Sequence, residues 1–133
     1  MTAKSPFSFD ARRVDKPWGY ELIWADTERY VGKLLFVRAG QALSLQYHER
    51  KDEAWLVQSG RASLELGTFS GMGGNESSMH TIEITEGDAF RYRPLTVHRI
   101  TAIEDTMILE VSTPDLDDVV RLEDRYGRPE RDL

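Results

Sequence analysis

Residues 40–60, GQALSLQYHERKDEAWLVQSG, carry the pattern that decides the fold. Two runs of strand-forming residues, ALSLQYH and AWLVQS, flank the polar turn HERKD, and a glycine stands at each end of the stretch. Short apolar runs separated by polar turns are typical of paired β-strands. We therefore expect this stretch to form two strands joined by a turn.

The same stretch contains three side chains of metal-ligand type. Gln46 and His48 are two positions apart, so on a strand they point to one face. Glu53 follows the polar turn, and His98 follows a second turn at residues 93–96. One hairpin can then supply three donors and a second hairpin the fourth. An amide oxygen, two imidazoles and a carboxylate suit zinc, manganese, iron or nickel. A Gln-x-His pair alone is common by chance, so the prediction depends on the joint pattern.

The rest of the chain repeats the strand pattern, and helical periodicity is nearly absent. Nine strands are predicted: YELIW, YVGKLLFVR, ALSLQYH, AWLVQS, ASLELG, MHTIEI, AFRYR, HRITAI and MILEVS. Turns are expected at residues 39–40, 59–60, 86–88 and 104–105, where glycine or aspartate accepts tight backbone angles. The fold class is therefore all-β, an antiparallel sandwich or barrel.

Two segments depart from this pattern. Residues 67–78, GTFSGMGGNESS, predict a flexible loop or an extended hairpin tip between two strands. After Ser112, an apolar set predicts one side of a short C-terminal helical turn, with the acidic residues around it on a solvated face. The set consists of Leu116, Val119, Val120 and Leu122.

Size and charge exclude several classes of protein. A chain of 133 residues has the length of one domain. Its net charge of −6 argues against a nucleic-acid partner, because phosphate binding needs a basic face. The sequence has no cysteine, so neither a disulfide nor a thiolate metal site is possible. The apolar runs are too short to span a bilayer, and residues 1–13 lack an apolar signal core. We expect a cytoplasmic protein without a membrane partner.

The glycine-framed donor pattern resembles the two motifs of the cupin superfamily. This resemblance implies a small jelly-roll β-barrel with a metal inside. Cupins commonly begin the first motif with His-x-His, where this chain has Gln46. Their second motif usually has Pro-x-Gly before its histidine, whereas this chain has RPLTVH at residues 93–98, with Leu95 and no glycine.

A narrower resemblance covers residues 16–128. The segments KPWG, LSLQYH, EAW, SG, HR and VVRLEDRYGR resemble the cupin domain of type II mannose-6-phosphate isomerases. The donors in that family fall on Gln46, His48, Glu53 and His98. The family has an arginine where this chain has Lys51 and a histidine where it has Ala54. Many type II enzymes also have an upstream nucleotidyltransferase domain.

The resemblance implies an aldose–ketose isomerase acting on a sugar phosphate through a metal-stabilised enediol, with zinc the expected metal and manganese, iron or nickel the alternatives. Because His48, Glu53 and His98 are assigned to the metal, the sequence does not identify the general base that the reaction also needs. Phosphate would need cationic partners, and the candidates are Lys33, Arg91, Arg93, Arg99 and Arg128. Lys33 and Arg128 match family positions and are the predicted catalytic residues.

Aromatic residues give weaker signals. Trp18, Trp24 and Trp55 are candidates for a sugar pocket, although large aromatic residues on strands are usually core. Tyr47 falls on the opposite strand face from Gln46 and His48, which predicts packing.

Two other functions remain open from the sequence. The substituted neighbours of the donors allow a non-catalytic metal-binding cupin that binds a carbohydrate or partners a separate sugar-nucleotide enzyme. An iron-dependent cupin oxygenase is less favoured because Gln46 replaces a histidine.

The resemblance also implies an organisation for the chain. It divides the chain into an N-terminal arm, residues 1–15, and a cupin domain, residues 16–133. Single-domain cupins often pair by strand addition at the barrel edge, so a homodimer is expected, with the arm as the exchanged segment.

Overall fold

The structure is a computed structural model that describes residues 5–69 and 76–132, with only the backbone described at 76–78. Eleven strands occupy this described part of the chain. They are β1 (Arg12–Lys16), β2 (Gly19–Asp26), β3 (Val31–Val37), β4 (Leu45–Tyr47), β5 (Glu53–Ser59), β6 (Arg61–Phe69), β7 (Glu76–Thr85), β8 (Ala89–Tyr92), β9 (Thr96–Ala102), β10 (Thr106–Ser112) and β11 (Val120–Glu123). The all-β prediction is confirmed.

The strands form two antiparallel sheets. The six-stranded sheet has the order β1-β2-β3-β10-β5-β8, and the five-stranded sheet has the order β11-β4-β9-β6-β7. The two halves of the quoted stretch thus lie in different sheets, with β4 in one and β5 in the other. The predicted hairpin is instead a crossover between the sheets, which places Gln46 and His48 opposite Glu53.

Alternating burial along the strands builds the core between the two sheets. The largest apolar cluster combines side chains of the six-stranded sheet, such as Trp55 and Ile108, with Leu64 and Ile100 of the other sheet. A smaller cluster contains Tyr47, whose ring stacks on Phe69 with centroids 4.4 Å apart. Tyr47 therefore packs, as its strand position predicted.

The predicted turns form with the expected glycine geometry. Gly60 has φ +96°, and a Cβ there would lie 2.3 Å from the carbonyl oxygen of Asp105. Leu95, where cupins usually have glycine, also adopts a positive φ of 72°. Its amide donates to the carbonyl of His48, so this strained turn is tied to the strand end that carries the histidine.

The prediction of a short C-terminal helical turn was wrong. None of the described residues is helical, and Val120–Glu123 instead form β11. This strand pairs with β4, placing Val120 opposite Tyr47 and Arg121 opposite Gln46. The β-branched pair Val119 and Val120 suits a strand, and the free edge of β4 supplies its partner.

Two further differences from the sequence prediction concern an additional strand and the segment 67–78. The strand β1 was not predicted; it pairs with β2 of the same chain, from Arg12 opposite Ile23 to Lys16 opposite Gly19. The segment 67–78 belongs at both ends to the β6–β7 hairpin, where Phe69 pairs with Glu76. The predicted flexible tip, residues 70–75, lies outside the described residues. The described part of the chain contains no helix long and apolar enough to cross a membrane.

Candidate metal centre

Both histidines and Gln46 come from neighbouring strands of the five-stranded sheet. Gln46 on β4 is directly opposite His98 on β9, and His48 follows the end of β4. The two imidazole rings have centroids 5.3 Å apart. The alternation of the strand thus directs Gln46, His48 and His98 into the space between the sheets.

Glu53 reaches the same point from the six-stranded sheet. Its Oε1 lies 3.4 Å from His48 Nε2 and 3.2 Å from His98 Nε2. The three ligand atoms lie within 4.8 Å of one another, and all three residues are buried. Gln46 lines the same cavity as these three side chains. The structure therefore brings all four predicted donors to one place.

Hydrogen bonds to the backbone orient both histidines. His48 Nδ1 donates to the carbonyl oxygen of Asp118, and His98 Nδ1 donates to that of Thr96 at 2.9 Å. Each ring therefore presents the lone pair of Nε2 to Glu53. His98 Nε2 is buried and has no hydrogen-bond partner among the described residues. A buried acceptor of this kind is costly unless something binds it, and a divalent cation fits this donor set.

Aromatic contacts hold His98 in place. The ring of Tyr92 stacks on it with centroids 4.3 Å apart and an interplanar angle of 6°. The indole of Trp55 contacts the His98 ring edge-on at 5.8 Å. These packed rings limit rotation of the imidazole, so its Nε2 direction is set before any ligand arrives.

A buried cation neighbours the donor set. Lys51 Nζ lies 2.9 Å from Glu53 Oε2 and 3.3 Å from Glu110 Oε2, while Trp55 Nε1 donates to Glu110 Oε1 at 3.0 Å. Burial lowers the pKa of Lys51, but the carboxylates of Glu110 and Glu53 outweigh it and raise that pKa overall. Lys51 is therefore a charged ammonium that orients Glu53.

The charge state of Glu53 follows from this environment. Burial alone raises its pKa, yet the charge of the Lys51 ammonium holds the pKa well below the ordinary carboxyl value. Glu53 is thus a carboxylate, the form that binds a cation.

Asp118 braces the turn that carries His48. Its carboxylate accepts hydrogen bonds from the backbone amides of Glu49, Arg50 and Lys51, at 3.1, 2.6 and 2.8 Å. Because the carbonyl of Asp118 also accepts from His48, one residue holds the ring and the turn after it. The sequence placed the acidic residues here on a solvated face, which is wrong for Asp118.

Charged side chains outside the donor set also line this cavity. Lys33 Nζ lies 3.0 Å from Glu21 Oε2, and Lys16 Nζ lies 3.2 Å from Glu21 Oε1. Arg121 and Arg128 line the same cavity. The predicted residues Lys33 and Arg128 thus share a cavity with the metal-ligand set. Burial acts to raise the pKa of Glu21, but Lys33 and Lys16 lower it overall.

The other cationic candidates lie away from this cavity. Arg91 forms an exposed ion pair with Asp52, and Arg99 pairs with Glu65. Arg93 is exposed. Among the tryptophans, Trp18 and Trp55 line the cavity, whereas Trp24 is on the outer face of its sheet.

The sequence reasoning missed several residues of the cavity wall. They are Lys16, Glu21, Glu110, Asp118 and Arg121. A charged residue at an inward position of an alternating strand is the signal available for Glu21 and Glu110, since such residues are rarely buried without a purpose. No comparable local signal marks the others.

Comparison with known families agrees with this geometry. The Mannose-6-phosphate isomerase C-terminal family matches residues 8–124. The chain belongs to this family. In sequence, the chain is similar to the mannose-1-phosphate guanylyltransferase ManC of Salmonella typhimurium, with 38% identity over 119 residues. The xanthan biosynthesis protein XanB of Xanthomonas campestris is 34% identical over 124 residues.

These relatives are much longer than this chain. Each alignment covers 88% of the chain, but only 23% of ManC and 24% of XanB. The chain therefore spans about a quarter of the curated relatives that it matches. The name of ManC describes a guanylyltransferase and that of XanB a xanthan biosynthesis protein, and both names refer to the longer proteins.

Solved structures confirm the cupin fold. KdgF from a Halomonas species superimposes with a TM-score of 0.62 at 24% identity, covering 80% of this chain and 94% of KdgF. The oxalate decarboxylase of Lactobacillus farciminis gives a TM-score of 0.68 at 16% identity, covering 84% of this chain and 33% of the decarboxylase. At these identities the likeness establishes the fold alone.

Proposed function

We propose that this chain binds a divalent cation through Gln46, His48, Glu53 and His98 and acts on a sugar phosphate as an aldose–ketose isomerase of the mannose-6-phosphate type. One observation carries the proposal: a buried donor set and a lysine-containing wall line a single cavity. A cation in this position would polarise a sugar carbonyl or hydroxyl. Zinc is the expected metal from the donor types, with manganese, iron or nickel as alternatives.

The charged wall supports a phosphorylated substrate. Lys33 and Lys16 both contact Glu21, so one carboxylate opposes two ammonium groups. Arg128 faces the cavity, while Asp124 receives two hydrogen bonds from its guanidinium and fixes its direction. The ammonium groups of Lys33 and Lys16 offer charged donors to a phosphate, and Arg128 offers further donors to it.

Isomerisation also needs a base to move a proton between adjacent carbons. Four residues with carboxylates line the cavity without serving as proposed ligands: Glu21, Glu110, Asp118 and Asp132. The carboxylate of Asp118 is bound to the turn amides and that of Asp132 pairs with Arg121, which leaves the two glutamates. Glu110 is next to Lys33 across β3 and β10 and already accepts hydrogen bonds from Trp55 and Lys51. These two glutamates are the candidates for the base.

The direct test is turnover. Protein loaded with zinc or manganese is expected to interconvert mannose 6-phosphate and fructose 6-phosphate, and Glu53→Gln is expected to abolish the reaction. The matched control is Glu83→Gln, an exposed position on β7 outside the cavity. A folded, metal-loaded wild-type protein without turnover of either sugar phosphate contradicts the isomerase proposal.

The length of the relatives favours a second function. Because the chain corresponds to about a quarter of several guanylyltransferases, it is also proposed as a non-catalytic carbohydrate-binding partner of such an enzyme. In that case mannose 6-phosphate or a nucleotide sugar raises the melting temperature without turnover. If neither ligand changes the melting temperature, this second proposal fails.

A further inference from the structure

Residues 129–132 lie beside β11 and reach the cavity of the candidate metal centre. The backbone amide of Arg121 on β11 donates to the carbonyl oxygen of Glu130 at 2.7 Å. Arg131 Nη1 donates to Glu49 Oε1 at 2.6 Å, in the turn after His48. Residues 129–132 are called the strap here, because they join β11 to that turn.

Arg121 binds the strap through a fork of hydrogen bonds. Its Nη1 donates to Asp132 Oδ1 at 2.7 Å, and its Nη2 donates to Asp132 Oδ2 at 3.1 Å. Nη1 also donates to the carbonyl oxygen of Pro129 at 2.9 Å. A guanidinium binds a carboxylate or a phosphate in this paired geometry. The Asp132 carboxylate therefore occupies the donors that Arg121 would offer to a phosphate.

The two partners of this fork differ in exposure. The side chain of Arg121 is 7% exposed, whereas that of Asp132 is 42% exposed. A buried guanidinium needs an anionic partner, because a buried charge without one is costly. A carboxylate that is nearly half exposed loses little when it moves into water. Arg121 is therefore fixed in the cavity wall, and Asp132 is the partner that can be exchanged.

Arg121 lies beside the donor set and near the other cations of the cavity. It is directly opposite Gln46 in the pairing of β11 with β4, so both side chains project from the same face of the sheet. Hydrogen bonds from Arg121, with added effects of the charges on Lys16 and Arg128, hold the pKa of Asp132 below its ordinary value against some effect of burial. Asp132 is thus an anion among the cations proposed to bind a phosphate.

The cavity is small while the strap is in this position. The part beside the donor set has a volume of about 90 Å³, whereas pockets for small organic ligands begin at about 300 Å³. A second cavity of about 260 Å³ adjoins it. Asp132 lines both cavities, so its side chain lies where they meet. Displacement of Asp132 would open the inner cavity toward the outer one.

We propose that Arg121 binds the phosphate group of the ligand and that Asp132 is a built-in competitor, which occupies Arg121 until the phosphate replaces it. This exchange rests on the proposed function only in that the ligand carries a phosphate, and it requires no turnover. It breaks the two hydrogen bonds of the Arg121–Asp132 fork and forms two from Arg121 to phosphate oxygens. The buried guanidinium therefore has an anionic partner in both states.

Isothermal titration of the full, zinc-loaded chain with mannose 6-phosphate and with inorganic phosphate tests the proposal. Asp132→Asn is expected to bind both about tenfold more tightly than the wild type, because its Arg121 is free of the competing carboxylate. Asp117→Asn is the matched control. Asp117 is exposed and lines the outer cavity, so this variant removes the same charge without freeing Arg121. Its Kd is expected to stay within about twofold of the wild type.

Two further measurements separate exchange at Arg121 from a general effect of charge. Arg121→Gln is expected to bind inorganic phosphate at least about tenfold more weakly, and adding Asp132→Asn to it is expected to change Kd by less than about twofold. If Arg121→Gln does not fold, carboxyl NMR of the wild type gives the answer. Saturating phosphate is expected to raise the pKa of Asp132 toward its ordinary value of 3.8, since the displaced carboxylate loses the hydrogen bonds from Arg121.

The exchange and the isomerase can fail separately. Equal Kd for Asp132→Asn and wild type overturns the exchange, even where the protein turns over sugar phosphate. An effect of Asp117→Asn as large as that of Asp132→Asn also overturns it. Tighter binding by Asp132→Asn without any turnover supports the exchange and contradicts the isomerase. If none of these proteins binds either phosphate compound, both are overturned.

Discussion

The backbone carbonyl of Asp118 accepts a hydrogen bond from His48 Nδ1, while the carboxylate of the same residue binds the amides of the turn that follows His48. This connection joins the C-terminal segment to the candidate metal centre, although the two residues are 70 positions apart in sequence. Together with the pairing of β11 and β4, it holds the C-terminal segment against the barrel. The orientation of His48 therefore depends on a residue that is not itself a proposed ligand.

Replacing Asp118 is expected to weaken metal binding without removing a ligand. Asp118→Ala takes away the acceptor for three buried or half-buried amides, which costs about 2 kcal/mol of unfolding free energy. With the turn loosened, zinc affinity is expected to fall 10- to 100-fold, as is typical when a supporting shell is lost. Isothermal titration with zinc and urea denaturation measure the two effects.

Asp117→Asn is the control for Asp118, because Asp117 is adjacent but exposed. It is expected to bind zinc as the wild type does. Equal zinc affinity in Asp118→Ala and wild type would show that the His48 turn holds its shape alone.

A divalent cation is expected to stabilise the protein through the histidines in the cavity. At a zinc concentration of about 100 times Kd, the gain in unfolding free energy is about 2.7 kcal/mol. His98→Gln is expected to lose most of this gain, since His98 Nε2 is a buried nitrogen without a hydrogen-bond partner among the described residues. Differential scanning fluorimetry with and without zinc provides the comparison.

The third histidine supplies the control for the zinc experiment. His80 is at an exposed position on β7, outside the cavity, so His80→Gln is expected to retain the full stabilisation. A stabilisation lost equally in His80→Gln and His98→Gln would assign the zinc effect to the surface.

The ion pair between Asp124 and Arg128 predicts a dependence of stability on pH. Hydrogen bonds from the Arg128 side chain, against some effect of burial, hold the pKa of Asp124 below its ordinary value of 3.8. A carboxylate with a lowered folded-state pKa stabilises the native state above the unfolded pKa, and this contribution fades as pH falls through the folded pKa. Wild type is therefore expected to exceed Asp124→Asn in stability at about pH 7 and to approach it near pH 2.

Urea denaturation of both proteins across this pH range tests that dependence. The half-buried Asp88 does not suit as a control position, because its carboxylate accepts a hydrogen bond from the Thr85 amide. Asp10→Asn, at an exposed position before β1, is the better choice and is expected to match the wild type throughout. A difference between wild type and Asp124→Asn that does not change with pH would rule out the ion pair as its source.

Lys33 is expected to act on substrate binding more than on turnover. Removing one charged hydrogen-bond donor to a phosphate costs about 1.5–3 kcal/mol, so Lys33→Met raises KM for mannose 6-phosphate at least about tenfold. Arg93→Met is the control, since Arg93 is exposed outside the cavity. Steady-state kinetics separate KM from kcat, and an unchanged KM in folded Lys33→Met removes Lys33 from the phosphate site.

The turn at Leu95 is expected to become more stable with glycine. Leu95 has φ 72°, a conformation that costs an ordinary residue about 1 kcal/mol, and its side chain is 40% exposed. Leu95→Gly removes this strain and is expected to raise the unfolding free energy by up to about 1 kcal/mol. Leu95→Ala keeps the strain and serves as the comparison in urea denaturation; equal stability of the two variants contradicts the explanation.

The sequence by itself determined nine of the eleven strands in the described part of the chain and pointed to the four candidate donors. Nine predicted strands correspond to β2–β10, because alternation and turn residues are local signals that each segment carries alone. The same local signals misled at Val119 and Val120, where apolar spacing was compatible with a helical turn. These residues lie at a strand because the free edge of β4 offers them backbone partners. No local sequence pattern indicates an edge that is distant in sequence.

Only the tertiary structure decided which sheet each donor came from and what surrounds it. The separation of β4 and β5 into opposing sheets places Glu53 against His48 and His98, whereas a hairpin would have kept the donors in one sheet. Asp118 joined the site because long-range packing brought the C-terminal segment over the turn after His48. The sequence specifies which side chains are present. The short distances that make them a site arise from contacts between segments that are remote in sequence.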